Sequence, residues 1–248
     1  MKNWYHSDPL IIAHRGASGK APENTLAAFK LALELGADGV ELDAKFTADR
    51  KVAVLHDQSL VRTTGAEGKI QNVEWDDLKT LDAGKWKGDE YAGEAIPSLE
   101  EVFSAIGGKL LINIEVTNYA TSTDGLAEAI VDMVIGSGIE DTILFSSFFP
   151  SNLVKIRRKT TNIPVALLTL PGKEGWFGRT FLSKKFSPEF LHPEFTDVTL
   201  GLVKKGRRIN TWTVNHEEDI QRMLKYGVAG VITDHPDVGI KLRDKLVA

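Results

Sequence analysis

Short apolar runs alternate with stretches of helical period along nearly the whole chain. The first run, Leu10-Ile11-Ile12-Ala13, is followed by Leu26, Phe29 and Leu33 at helical spacing and then by Gly36, with Asn24 placed where an N-cap is expected. Together these make one βα unit. Gly39-Val40-Glu41-Leu42-Asp43 and Lys51-Val52-Ala53-Val54-Leu55-His56 read as two further strands, separated by the turn-prone Ala48-Asp49-Arg50. From 58 to 97 the rhythm weakens into polar loops with Trp75, Trp86 and several glycines, as expected of an insertion rather than a repeating unit. It resumes at Ser98, where Glu101 completes a capping box for a helix running to Ile106, before a strand at 109–116. Helix and strand then pair at 124–135 with 142–148 and at 151–159 with 164–170. After the irregular segment 172–187 come a short strand at 190–192, a helix at 198–205, a strand at 208–214, a helix at 217–226, a strand at 228–233 and a last helix from Asp237. About eight strands with helices between them is the number that closes a TIM (β/α)8 barrel. No fixed-period repeat is visible, which disfavours a solenoid.

Composition narrows this picture. A chain of 248 residues suits one barrel domain over 1–248 with 58–97 as an insertion within it, and 42% hydrophobic residues leave ample material for a core. The net charge of −4 supplies no basic footprint, so no nucleic acid partner is expected. Cysteine is absent, which removes disulfides, thiolate nucleophiles and cysteine-based zinc sites, so any metal must use carboxylate, imidazole or amide ligands. The N-terminal residues 1–9 contain no apolar signal segment, and nowhere do about 18 apolar residues run together. The expectation is a cytoplasmic protein without stable membrane insertion. The sequence carries no signal for an oligomeric state.

In a barrel of this kind, chemistry gathers where strands end and βα loops converge. His14 and Arg15 end the first strand, Glu41 and Asp43 lie in the second, and His56 with Asp57 ends the extra one. Glu115 nearly ends the next; Asn215 and His216 follow the strand bearing Trp212, and Asp234 and His235 follow the final strand. Glu41 and Asp43 are two apart and therefore share a face of their strand. Joined by Glu115, they form a hard-oxygen set suited to Mg²⁺ or Ca²⁺; equally, they read as strand-end carboxylates paired with Arg15 and Lys45. His14 and His56 suit a general acid and base pair, since imidazole titrates near neutrality, although a lone histidine is more often a satisfied structural group. Arg15 suits an anionic phosphate or an ion pair ordering Glu41 or Glu23. Trp176, Phe177 and Phe181, beside Lys184 and Lys185, either cover the mouth, touch a lipid tail or pack into the barrel wall; packing is the expectation for apolar residues at this spacing. The basic runs 155–159 and 204–208 end predicted helices and read as solvated helix ends.

The linked motifs His14-Arg15-Gly16 with Pro22-Glu23-Asn24-Thr25, Glu41-Leu42-Asp43, His56-Asp57, Asn113-Ile114-Glu115, Trp212-Thr213-Val214-Asn215 and Thr233-Asp234-His235-Pro236 resemble the glycerophosphodiester phosphodiesterase family. They span nearly the whole chain in order. The resemblance implies a TIM barrel with a small insertion after the second strand, acting on a glycerophosphodiester as small-molecule substrate. It implies one divalent cation, Mg²⁺ or Ca²⁺ with Mn²⁺ as a third candidate, held by Glu41, Asp43 and Glu115. It further implies His14 and His56 as acid and base, Arg15 as a phosphate contact and Trp212 as a substrate-pocket aromatic. One departure stands out: the family commonly has lysine two residues after the third carboxylate, where this chain has Thr117. Arg15, the metal or a lysine such as Lys45 would then have to compensate. Two other readings remain open, a phospholipase D-like hydrolase of lysophospholipids and a non-enzymatic barrel that binds glycerophosphodiesters. Binding alone, however, does not call for an acid and base pair.

Overall fold

The computed structural model describes residues 3–247; Met1 and Lys2, part of the N-terminal segment considered above, lie outside them. Among the described residues nine strands form one sheet: β1 (Leu10–His14), β2 (Gly39–Phe46), β3 (Val52–Val54), β4 (Leu111–Val116), β5 (Ile143–Ser147), β6 (Val165–Thr169), β7 (Phe190–Pro193), β8 (Arg208–Thr211) and β9 (Gly230–Thr233). Eight are parallel and close on themselves in the order β1-β2-β4-β5-β6-β7-β8-β9, with β1 bonded to both β2 and β9. This is the barrel that the alternating pattern predicts.

The extra strand has a simple origin. β2 continues past Asp43 to Phe46, and β3 folds back antiparallel on that extension, pairing Ala44 with Val54 and Phe46 with Val52. β3 thus extends the sheet without joining the ring. Residues 58–97 follow as short helical turns, Val61–Thr64, Ile70–Asn72, Trp75–Leu78 and Asp89–Tyr91, gathered on a small apolar nucleus of Leu60, Ile70, Leu78 and Ile96. Ser98 then caps the helix Leu99–Ile106 in the expected capping box with Glu101.

Alternation along each strand separates two apolar layers. Outward residues such as Val40, Leu42, Ala44, Ile112 and Ile114 are buried under the helices. Inward residues near the strand starts, including Leu10, Ile12, Leu111, Leu144, Phe190 and Ile232, fill the barrel floor with Trp4, whose indole N–H donates to the Thr142 carbonyl at 3.0 Å. With the floor plugged, the polar carboxylates and imidazoles of the interior lie toward the strand C-termini.

Three expectations need correction. Asn24 is not the N-cap; Thr25 accepts from the Ala28 N–H, and Asn24 takes a left-handed backbone at φ 57°. β8 ends at Thr211, so Trp212 follows the strand rather than lying inside it. The aromatics after β6 do not pack into the wall: Trp176 is 62% exposed, Phe177 49% and Phe181 54%. Leu153 and Leu167 belong to the main core, and Leu182 and Leu202 pack against it, in place of the aromatics. No helix among the described residues is long and apolar enough to cross a membrane.

Candidate active site

Strand register builds the site. His14 on β1 is level with Glu41 on β2, Glu41 with Asn113 on β4, and Asp43 with Glu115. Parallel neighbours lie about 4.8 Å apart, so side chains of one register row meet at the barrel mouth. His14, Arg15, Glu41, Asp43, His56, Glu115 and Trp212 all line one cavity of about 110 Å³. The residues to which the resemblance gives a catalytic, metal or substrate role are therefore at one place.

One carboxylate oxygen each from Glu41, Asp43 and Glu115 lies within 4.8 Å of the other two. Burial pushes the Glu41 carboxyl well above the ordinary range, and the charges of Asp43 and Glu115 push it further. Glu115 is likewise raised, to about 7, by burial and by Asp43. Burial opposes ionisation of Asp43 too, but the Arg15 guanidinium, with Lys45 behind it, holds its carboxyl below the usual range. A set of buried oxygens that resists sharing negative charge is what a divalent cation would relieve. The donor set therefore fits a hard cation. Asn113 lines the same cavity, and its buried Oδ1 has no hydrogen-bond partner among the described residues.

Each carboxylate is held from behind. The Asn24 amide donates to Asp43 Oδ2 at 2.9 Å while its Oδ1 accepts the Asp43 N–H at 3.4 Å. The backbone N–H of Arg15 donates to Glu41 Oε2 at 3.0 Å, and the Tyr119 hydroxyl to Glu115 Oε1 at 2.6 Å. The turn that aims Arg15 is tight: Arg15 itself has φ 54°, and a Cβ on Gly16 (φ 83°) would meet the Ala28 backbone at 2.6 Å. Arg15 pairs with Glu23 at 2.7 Å and Asp43 at 3.3 Å. The structural partner expected for Arg15 is thus Glu23 rather than Glu41, with Asp43 added. Glu23 is gripped a second time by Arg62 at 2.7 Å.

The two histidines share one arrangement. His14 Nδ1 meets Asp234 Oδ1 at 2.7 Å, and His56 Nδ1 meets Asp57 Oδ1 at 2.7 Å. An imidazole held at Nδ1 by a carboxylate keeps its other nitrogen for the mouth. His14 Nε2 stands 3.9 Å from Glu41 Oε2. Both orienting aspartates are themselves fixed: Asp234 by the Asn215 amide at 2.6 Å and the Ser18 hydroxyl at 3.0 Å, Asp57 by Arg62 Nε at 2.5 Å. Burial works against Asp234, yet its bond to His14 and the amide and hydroxyl donors bring its pKa to about 2.

Opposite the carboxylates the mouth is apolar. Phe148, Leu168 and Trp212 line it, Phe148 meeting Trp212 edge-on at 5.6 Å and Tyr119 at 5.9 Å. The Trp212 indole N–H donates to the His192 carbonyl at 2.8 Å, which fixes the ring.

Thr117, the departure noted in the sequence, is buried beside Lys45. The Lys45 ammonium donates to the Thr117 hydroxyl at 2.5 Å and to its carbonyl at 3.3 Å, and that hydroxyl donates onward to the Ala44 carbonyl at 2.8 Å. A cation thus does stand in this corner, contributed by β2. Asn24, Asp57, Tyr119, Phe148 and Asp234 belong to the site although sequence reasoning assigned them no role there. The adjacency of Asp57 to His56, the place of Asn24 beside Glu23 and the strand-end position of Asp234 marked three of them; nothing in the sequence marks Tyr119 or Phe148.

Residues 14–238 match the model of the glycerophosphoryl diester phosphodiesterase family. The chain is 39% identical over 239 residues to a glycerophosphodiester phosphodiesterase of Caldanaerobacter subterraneus subsp. tengcongensis, covering 94% of this chain and 97% of that protein. The fold superposes on an Oleispira antarctica phosphodiesterase solved with its product sn-glycerol-3-phosphate, at TM-score 0.85 and 30% identity, covering 98% of this chain and all of the other (100%). A glycerophosphodiester phosphodiesterase of Thermotoga maritima gives TM-score 0.77 at 29% identity, covering 96% of this chain and 100% of that one.

Proposed function

The chain belongs to the glycerophosphoryl diester phosphodiesterase family, and from that premise we propose that it hydrolyses glycerophosphodiesters to sn-glycerol 3-phosphate and an alcohol by metal-dependent, two-histidine acid–base catalysis. The observation that carries the reading is the convergence of three carboxylates, two of them buried and the third half-buried, and two carboxylate-held histidines on one cavity. Glu41, Asp43 and Glu115 would hold one divalent cation, Mg²⁺ or Ca²⁺ with Mn²⁺ as a third candidate, which when bound neutralises charge building on a phosphate oxygen. The remaining work falls to the chain's own side chains. Arg15, kept charged by Asp43 and Glu23, turns the guanidinium edge not used by Glu23 toward the diester. One imidazole removes the proton of the nucleophile, either water or the neighbouring glycerol hydroxyl whose attack gives a cyclic phosphate that water then opens; the other delivers a proton to the oxygen of the departing alcohol as its bond to phosphorus breaks. Each transfer is typically worth about 10²- to 10⁴-fold. Trp212 and Phe148 form the wall against which the glycerol backbone rests. We read the whole chain as one catalytic barrel, in which the inserted 58–97 lends Arg62 to brace Asp57 and Glu23.

The test is an assay of released sn-glycerol 3-phosphate on glycerophosphocholine, glycerophosphoethanolamine and lysophosphatidylcholine. The reading predicts stoichiometric release from the first two. Choline release from the lysophospholipid alone would move the enzyme to the phospholipase D-like class, and binding without turnover of any would make it a carrier.

A further inference from the structure

The helical segment after β6 leaves its aromatic stripe without a partner. Trp176, Phe177 and Phe181 are all more than half or nearly half exposed (62%, 49% and 54%), and the last two stack on each other at 5.0 Å. Leu170, at the root of the segment, and Leu200, which opens the short helix Leu200–Val203 after β7, are exposed as well. Because all barrel strands end at one rim, this segment begins beside the mouth, one residue past Thr169 of β6. Single exposed apolar residues need no explanation, but a cluster of this kind does.

The charge around the stripe is strongly one-sided. Residues 172–208 carry eight Lys and Arg against four Asp and Glu in a chain whose net charge is −4. Among the described residues, Lys173, Lys184, Lys185, Lys204, Lys205 and Arg207 have no ion-pair partner, whereas two of the four acids are already paired: Asp197 with Arg179 at 2.8 Å and Glu189 with Arg157. Trp176, Lys184, Lys205 and Arg207 line one open groove of about 580 Å³. A Trp and Phe face flanked by unpaired lysines is the composition of an element that lies in a bilayer interface, rings at headgroup depth and ammonium groups on anionic phosphates. A second copy of the chain is the poorer occupant, since a two-fold contact would set this basic patch against itself.

We propose that the segment spanning 170–186, with the cations of 204–207, docks the barrel reversibly on an anionic phospholipid surface with its mouth at the membrane edge. The docking site is separate from the catalytic cluster and needs no turnover, so it is tested independently of the proposed reaction. The measurement is flotation of the full chain with vesicles of phosphatidylcholine alone and with a quarter phosphatidylglycerol, in low and in high salt. Binding is expected only to the anionic vesicles, with weakening as salt screens the lysines. A triple variant Trp176→Ala/Phe177→Ala/Phe181→Ala and a charge reversal Lys184→Glu/Lys185→Glu are each expected to lose about tenfold in partitioning, with melting temperature and turnover of soluble glycerophosphocholine unchanged. Absence of binding by the unaltered chain, or equal binding by both variants, would overturn the proposal. So would a concentration-dependent dimer dissolved by the triple variant, which would assign the face to a second copy.

Discussion

On the side of the mouth formed by β1, β2 and β4, the acidic and imidazole groups are held by directed bonds: Asp43 by Asn24 and Arg15, Glu115 by Tyr119, His14 by Asp234. On the side formed by β5 to β8, Phe148, Leu168 and Trp212 offer surface and almost no directed bonds. The polar side is arranged for charge and proton movement, where a displacement of about 1 Å costs rate. The apolar side is arranged for fit. Substitutions on the two sides should therefore separate, the first acting on kcat and the second on KM.

The largest separation is expected at the histidines. His14→Ala and His56→Ala should each lower kcat by about 10²- to 10⁴-fold with little change in KM or in the folded state; near-normal turnover in either would remove it from the acid–base pair. Asp234→Asn is a milder break on the same side. It keeps the shape but weakens the hold on His14 Nδ1, and a loss of about 10- to 100-fold in kcat is expected by analogy with other orienting carboxylates. The same variant has a stability signature. The Asp234 carboxyl sits at about 2 in the fold, so its contribution is complete above the ordinary aspartate range and is lost as pH falls through about 2. Thermal melts between about pH 4 and pH 2 should show the unaltered protein losing stability more steeply than Asp234→Asn. The smallest effect belongs to the apolar side: Trp212→Leu should raise KM several-fold, with kcat within about threefold. A kcat collapse there would mean that the aromatic wall positions the reacting groups and that the two sides are not separable.

The same contrast explains what could be read from the sequence. The spacing of Glu41 and Asp43 puts them on one face of a strand whatever the rest of the fold, and the regular helix–strand alternation points to the barrel. Their meeting with Glu115 depends on the register of β2 against β4, which no local pattern encodes. Asn24 looked like a helix cap because asparagine serves both as cap and as left-handed turn residue; only the position of Asp43 decides between them. Tyr119 is hidden for a related reason, since the loop after β4 must fold before its hydroxyl meets Glu115. Thr117 read as a lost cation, yet the cross-strand bond to Lys45 puts a positive charge in the same corner. At Trp176, Phe177 and Phe181 helical spacing suggested burial, but periodicity says only that residues share a face, not that the face is covered.

The most direct test of the central claim is release of sn-glycerol 3-phosphate from glycerophosphocholine after exhaustive chelation, followed by stepwise return of Mg²⁺, Ca²⁺ or Mn²⁺. The account predicts that turnover falls to background in the stripped enzyme, returns with at least one of the three cations, and fails to return in Glu41→Gln. Full activity in the presence of chelator, unchanged in Glu41→Gln, would contradict it.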